Sequence, residues 1–283
     1  MSSVNMLTGP YLSRIGFEGV SEPSLEVLRR IHTCHLMSVP FENLTAHSGG
    51  RVELELPLIY DKVVKRRRGG FCYEVNSLLS WLLSQLGFHV TLLSAQVKSA
   101  ITGCYGPPFD HLVLLLSLEG NQWLCDVGFG ARGLLSPLLL DSEEPQNQGH
   151  RWYRIRRTTE FHFLEERGQG PDGDWVEMYK FTLEPRCLGD FTEMCQYHQS
   201  SPYSLFFCKS LCTVLKPGGQ IIYVGHKLIT RTFPSEPNGL EESTSRDLED
   251  QELTVILAEK FGIVLSAPLI IKDETVPPPP LTY

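Results

Sequence analysis

The segment Arg68-Gly69-Gly70-Phe71-Cys72-Tyr73-Glu74-Val75-Asn76 brings one cysteine to the start of an amphipathic pattern. From Val75 the apolar residues Leu78, Leu79, Leu82, Leu83 and Leu86 recur at helical spacing, and Gly87 supplies a stop. Cys72 therefore falls in the first turn of a helix. Unpaired N–H groups and the positive end of the helix dipole favour an anion there, which predicts a lowered thiol pKa and a populated thiolate. A lone cysteine on a helix is more often an inert packing residue. What gives this one chemical meaning is its company.

Downstream, Asp110-His111-Leu112-Val113-Leu114-Leu115-Leu116 reads as a buried strand that begins at a histidine. Gln122-Trp123-Leu124-Cys125-Asp126-Val127-Gly128-Phe129-Gly130 reads as another that ends near an aspartate, with Glu119-Gly120-Asn121 as the turn between them. Such a hairpin brings His111 and Asp126 into one neighbourhood. Simple register about the turn does not set them opposite each other, so a bulge or twist is expected to complete the approach. If Asp126 accepts a hydrogen bond from one imidazole nitrogen, the other nitrogen faces Cys72 as its base. That is the nucleophile, base and orienter logic of thiol catalysis. Each part alone has an ordinary reading, a rim histidine and a turn-forming aspartate.

With Tyr11-Leu12-Ser13-Arg14-Ile15, His35 and Val39-Pro40-Phe41-Glu42-Asn43-Leu44 preceding them in order, these segments resemble the arylamine N-acetyltransferases from about residue 11 to the Phe233 region. The resemblance implies an α+β fold: an N-terminal helical bundle, a central antiparallel β-barrel and a C-terminal α/β lid around a cysteine-proteinase-like core. It makes Cys72, His111 and Asp126 a catalytic triad, acetyl-CoA the acyl donor and co-substrate, and an aromatic amine, hydrazine or N-hydroxyarylamine the acceptor in a ping-pong cycle. It also puts Phe41, Val97, Phe129 and Phe206 in the apolar walls of the substrate site. The chain departs from the family at Gly106-Pro107-Pro108-Phe109-Asp110, where many relatives carry small or polar residues that approach CoA. Pro107 and Pro108 lack N–H donors, so cofactor contacts at these two positions are expected to differ. The stretch between Trp152 and Trp175 is short beside the mammalian members.

Two other classes of function share the chemistry. A Cys-His-Asp amide hydrolase or transglutaminase-like enzyme uses the same three groups, and a non-catalytic acyl-CoA or ligand-binding homologue could keep the fold. The flanking motifs match the acetyltransferases instead, and none of the three triad residues is replaced.

The general bounds agree. The chain has 283 residues, 42% apolar and 20% charged, room for two or three compact units. A net charge of −8 opposes nucleic-acid binding. The first residues lack the basic and apolar regions of a secretory signal and no run is long enough to span a bilayer, which predicts a cytoplasmic protein. Eight irregularly spaced cysteines argue for reduced thiols over a disulfide framework, and the Cys208/Cys212 pair has no second pair at zinc spacing, so no metal is expected. The basic run Lys62, Lys65, Arg66, Arg67 and Arg68 reads as a solvated helix face, with attraction of CoA phosphates a further possibility by proximity.

Residues 1–87 read as helices carrying the nucleophile, among them one from Ser24 to His32. Residues 88–191 read as antiparallel strands carrying His111 and Asp126, including Val90–Val97, Trp152–Arg156 and Trp175–Phe181, with a turn cluster at Gly168–Asp174. Residues 192–283 read as a mixed lid with strands at Ile221–Val224 and Lys227–Thr230, a mobile acidic loop from Pro234 to Asp250, a helix from Leu253 to Phe261 and an extended tail at Pro277–Pro280. Gly128-Phe129-Gly130-Ala131-Arg132-Gly133 satisfies a dinucleotide-binding pattern, but Pro137 interrupts the helix that should follow, so the glycines are read as a turn beside a pocket.

Overall fold

A computed structural model describes residues 5–100, 102–168, 173–235 and 239–277. Helices α1 (Thr8–Arg14), α2 (Leu25–Ser38), α3 (Leu44–His47), α4 (Leu56–Tyr60) and α5 (Cys72–Gln85) make up the N-terminal part, with a π-helical turn over Asp61–Lys65. Ser24 caps α2 by accepting the Val27 N–H at 3.3 Å. The helix outruns its expected end at His32 because His35 extends the buried face of Val27, Leu28, Ile31 and His32. It stops where Val39, preceding Pro40, turns extended.

Strand β1 (Phe41–Glu42) is followed, after α5, by β2 (His89–Val97), β3 (His111–Leu118), β4 (Asn121–Cys125), β5 (Leu138–Leu139), β6 (Gln146–Gln148), β7 (Arg151–Arg157), β8 (His162–Arg167) and β9 (Trp175–Phe181). Strands β2 to β9 form one antiparallel sheet in the order β5-β4-β3-β2-β9-β8-β7-β6. Its two edges approach each other through glutamine side chains. Gln146 exchanges hydrogen bonds with the Leu139 backbone at 2.9 and 2.8 Å, and Gln148 bonds the Leu135 and Ser136 backbone at 2.7 to 3.1 Å. These amides stand in for the missing ladder and nearly close the sheet into a barrel. Inside lie Val113, Leu115, Leu124, Tyr153, Leu164 and Tyr179. The other face of β3, Leu112, Leu114 and Leu116, packs with Leu78, Leu79 and Leu82 of α5. Burial on both faces explains the unbroken apolar run in β3.

After α6 (Thr192–Ser200) and α7 (Leu205–Cys208), strands β10 (Leu211–Lys216), β11 (Gly219–Val224), β12 (Lys227–Thr232) and β13 (Glu242–Asp247) form a second antiparallel sheet, covered by α8 (Asp250–Phe261). Strand β1 adds to its edge beside β10, so the segment before the nucleophile is tied to the C-terminal sheet.

Several expectations are corrected. The Pro234–Asp250 stretch is not simply a loop: β13 pairs with β12 over six residues. All six of its residues are exposed, so backbone hydrogen bonding alone makes the strand and no apolar alternation marks it. Strand β8 was not anticipated. The basic run is not all solvated: Lys65, Arg66 and Arg67 are exposed, whereas Lys62 and Arg68 turn inward as counter-ions to the buried carboxylates of Glu74 and Glu42. The glycine-rich segment after β4 does form the expected turn, a 3-10 turn over Gly130–Arg132. Residues 169–172 of the Gly168–Asp174 turn, and residues 278–280 of the proline tail, lie outside the described residues.

His32, His35 and His198 are built into the core, each at most 4% exposed. Burial holds their imidazoles down to about 4, 3 and 4 respectively. They fold neutral, and the unfolded chain binds protons that they do not. Stability is therefore full above about pH 6.5 and falls as pH drops through the window down to the folded values, by up to about 1.4 kcal/mol per pH unit for each ring. Both ring nitrogens of His32 lack hydrogen-bond partners of normal geometry, although the Asp126 and Leu135 backbone is near. His32→Leu should flatten the acid limb by one such increment. Urea midpoints at about pH 7 and pH 5.5 measure it, and an unchanged slope would count against a neutral buried ring.

Candidate active site

Two close backbone approaches deliver Cys72. A Cβ on Gly69 would come within 1.8 Å of the Pro40 carbonyl oxygen, and one on Gly70 within 2.7 Å of Glu74. Only glycines let the 69–70 backbone lie against Pro40–Glu42, where Gly70 N–H donates to Pro40 O at 3.3 Å and Glu42 N–H donates to Gly70 O at 3.0 Å. The Glu42 carboxylate, with no exposed surface, accepts from Arg68 Nε at 2.9 Å, Gly69 N–H at 3.2 Å and Leu44 N–H at 2.7 Å. Glu74 reaches back to the Phe71 N–H at 3.2 Å and takes Lys62 as its counter-ion at 2.7 Å. The start of α5 is thus held on both sides.

His111 and Asp126 meet without a bulge. Glu119 and Gly120, both at positive φ, form a two-residue hairpin loop, and pairing runs in unbroken register from Leu118–Asn121 to Leu114–Cys125. Continuing that register sets Asp126 opposite Val113, diagonal to His111 on the same face of the sheet, within side-chain reach. His111 Nε2 lies 2.7 Å from Asp126 Oδ2. Asp126 Oδ1 accepts from the Asn76 amide at 2.9 Å and from Gly128 N–H at 2.8 Å. Asn76 also donates to Leu112 O at 2.7 Å and accepts from Val127 N–H at 2.9 Å. A Cβ on Gly128 would come within 2.8 Å of Cys72 Cα, so this loop lies directly on the cysteine.

The electrostatics reverse one expectation. Cys72 is fully buried, and burial, reinforced by the Asp110 and Asp126 carboxylates, pushes its thiol well above the ordinary value. The helix N-terminus does not outweigh that. Burial also works against the Asp126 carboxylate, but His111, Asn76 and the Gly128 N–H prevail and hold it below the ordinary range. With Nε2 committed to Asp126, His111 has Nδ1 free to take a proton. The site therefore combines a buried neutral thiol under the Gly128 loop with an imidazole backed by a carboxylate, the three groups that thiol chemistry requires. Among the described residues, no cluster of three His, Cys, Asp or Glu could hold a metal ion.

A family profile described as N-acetyltransferase matches residues 24–270. The chain is 36% identical over 271 residues to the chicken arylamine N-acetyltransferase pineal gland isozyme NAT-3, covering 90% of this chain and 93% of that one. The chain belongs to the arylamine N-acetyltransferase family. Among solved structures, the arylamine N-acetyltransferase of Mycobacterium abscessus superposes with a TM-score of 0.82 at 31% identity, over 93% of this chain and 91% of that one. The Mycobacterium marinum arylamine N-acetyltransferase in complex with CoA gives 0.80 at 27%, over 90% and 92%.

Within this arylamine N-acetyltransferase fold, the four expected wall residues fall into two groups. Phe41 and Phe206 are ring neighbours at 5.9 Å, and Phe206 also meets Phe71 at 5.6 Å. Phe129 packs against the His111 and Tyr179 rings at 5.3 and 5.2 Å, and both Val97 and Phe129 border the barrel core. Pro107 and Pro108 lie in the turn before His111, where Pro107 O accepts the Asp110 N–H at 3.3 Å and Phe109 takes a positive φ. Sequence reasoning missed Asn76, although its spacing was a signal: it stands one helical turn after Cys72, a polar residue on the face that carries the nucleophile. Asn76→Ala leaves a carboxylate oxygen, a carbonyl and an N–H short of partners in the interior. The expected loss is about 3 kcal/mol of unfolding free energy, measured by denaturant titration at neutral pH; a loss under about 1 kcal/mol would show that the clamp is dispensable.

Proposed function

We propose that the protein transfers an acetyl group from acetyl-CoA to an aromatic amine, hydrazine or N-hydroxyarylamine through a thioester on Cys72. The units 1–87, 88–191 and 192–283 supply the nucleophile, the His111–Asp126 pair and a lid. The observation that carries this reading is the buried 2.7 Å His111–Asp126 contact whose loop lies on Cys72 at the start of α5.

The chemistry follows from the raised thiol. Cys72 passes its proton to His111 Nδ1 as its sulfur attacks the thioester carbonyl, and Asp126 stabilises the imidazolium so formed. The Cys72 N–H, at the start of α5, stabilises the oxyanion as it develops. Collapse expels CoA sulfur, which takes the proton back from the imidazolium. The acetyl group remains a thioester and stays activated. A neutral aromatic amine then attacks it, His111 accepts the amine proton as the amide forms, and the proton returns to the Cys72 sulfur. Oxygen attack by an N-hydroxyarylamine follows the same course. Phe41, Val97, Phe129 and Phe206 line the acceptor site and keep out water, the competing nucleophile. Pro107 and Pro108 offer ring carbons and carbonyls to the CoA arm and no donors. We place the enzyme in the cytoplasm. All eight cysteines are unpaired, and no helix among the described residues is long and apolar enough to cross a membrane.

The test is intact-protein mass after exposure to acetyl-CoA, with and without an arylamine. One acetyl adduct is expected on the wild type, absent in Cys72→Ala and discharged by the amine, with turnover in the variant lower by about four orders of magnitude or more. An adduct that forms equally in Cys72→Ala would place the acyl group elsewhere and end this reading.

A further inference from the structure

Asp110, the residue before His111, and His198 on α6 form a second carboxylate–imidazole pair that no step above uses. His198 is 4% exposed and the Asp110 side chain 14%. His198 Nε2 lies 3.2 Å from the Asp110 backbone oxygen and 3.4 Å from its Oδ1, while Nδ1 lies 2.9 Å from Ser204 Oγ. One neutral tautomer satisfies all three contacts: Nε2–H donates to Asp110, and Nδ1 accepts the Ser204 hydroxyl proton. The ring packs edge-on against Phe71 and Phe206.

The pair holds the two walls of the acceptor site. Asp110 Oδ2 accepts the Val97 N–H at 3.1 Å, and the Gly106 backbone lies so close that a Cβ there would come within 2.2 Å of the same oxygen. On the other side, Ser204 caps α7 by accepting the Phe206 N–H at 3.2 Å. Val97 and Phe206 belong to different elements, yet one chain of contacts, Val97–Asp110–His198–Ser204–Phe206, buried at His198 and Ser204 and half-buried at its ends, links them through the residue that precedes His111. Tyr73 O–H adds a bond to the Phe109 and Asp110 carbonyls at 2.7 and 3.1 Å. Apolar packing can relax around a misfit, whereas a hydrogen-bonded chain with a buried centre favours one spacing.

We propose that Asp110 and His198 are a positioning pair that sets the distance between the Val97 and Phe206 walls, and so the binding of the amine to the acyl-enzyme, while Asp110 is ionised. This rests on the transferase reading above. The titratable groups facing Asp110 are Cys72 and Tyr73 from α5, His111 from β3 and His198 from α6. Burial pushes the Asp110 carboxyl up to about 6, against the Val97 N–H and His111, which favour its charge. Below that pH the charge-assisted bonds to Val97 and His198 weaken.

Acetylation of Cys72 and its discharge by an arylamine that stays neutral near pH 6 are measured separately, with active sites counted from the acetyl adduct. In His198→Leu the amine concentration for half-maximal discharge should rise about tenfold, while Cys72 acetylation changes by less than about threefold. His198→Gln, which keeps a donor toward Asp110, should recover most of the loss. Wild-type discharge should fall below about pH 6 along a limb that Asp110→Asn lacks. Equal losses in the two half-reactions, or unchanged amine saturation in His198→Leu, overturn the proposal. A wild type that forms no acetyl adduct fails earlier, at the transferase reading, and takes the proposal with it.

Discussion

Asp126 carries a charge with no exposed surface, and an unpaired carboxylate in that position would cost several kcal/mol in desolvation. Its lone pairs are met by the imidazole of His111 from β3, the amide of Asn76 from α5 and the N–H of Gly128 from the loop after β4. Satisfying this one group fixes the relative position of three elements. Because Asn76 sits one turn beyond Cys72, the same bonds hold the turn that carries the thiol under the loop after Asp126, and because the loop must pass over that turn, position 128 has no room for a side chain.

A second layer of buried polar contacts holds the elements that carry these three. Glu42 braces Arg68 and Gly69, while its neighbour Asn43 accepts the Leu211 N–H and donates to the Phe206 and Lys209 carbonyls, tying down the segment that bears Phe206. Arg14 donates to the carbonyls of Ser38, Val63, Arg67 and Arg68, closing the base of the loop that leads into the glycines. Tyr11 O–H meets His35 Nδ1 at 3.0 Å. The short motifs around residues 11–15, 35–44 and 68–74 therefore work as interlocking staples. Each supplies the partner that another needs in order to be buried.

Local period made much of this legible. The start of α5 at Cys72, the two-sided burial of β3 and the hairpin to β4 were readable because apolar spacing and turn residues act over a few positions. What resisted reading depends on partners distant in the chain. Lys62 and Arg68 looked like members of a solvated run because their carboxylates lie 12 and 26 residues away. Strand β13 escaped because its residues all face solvent and only its backbone is used. His111 and Asp126 needed no bulge, since a diagonal pair on one face already lies within reach. His198 gave no local sign of its partner 88 residues earlier.

The thiol shows how two local effects compete. Position at a helix N-terminus favours the thiolate by about 1 kcal/mol or less in exposed settings, whereas full burial beside two carboxylates opposes it by more, and the outcome for Cys72 is a raised pKa. A lone thiolate would react with any small electrophile that entered. In the transferase mechanism proposed above, a buried thiol that ionises only by handing its proton to His111 would react when a carbonyl is in place to receive the sulfur and the Cys72 N–H is in place to receive the oxygen charge. On the same mechanism, the burial that makes the cysteine weak in isolation would also keep water from the thioester. On that mechanism, selectivity for transfer over hydrolysis and the raised thiol would both come from the same packing of α5 against the Gly128 loop.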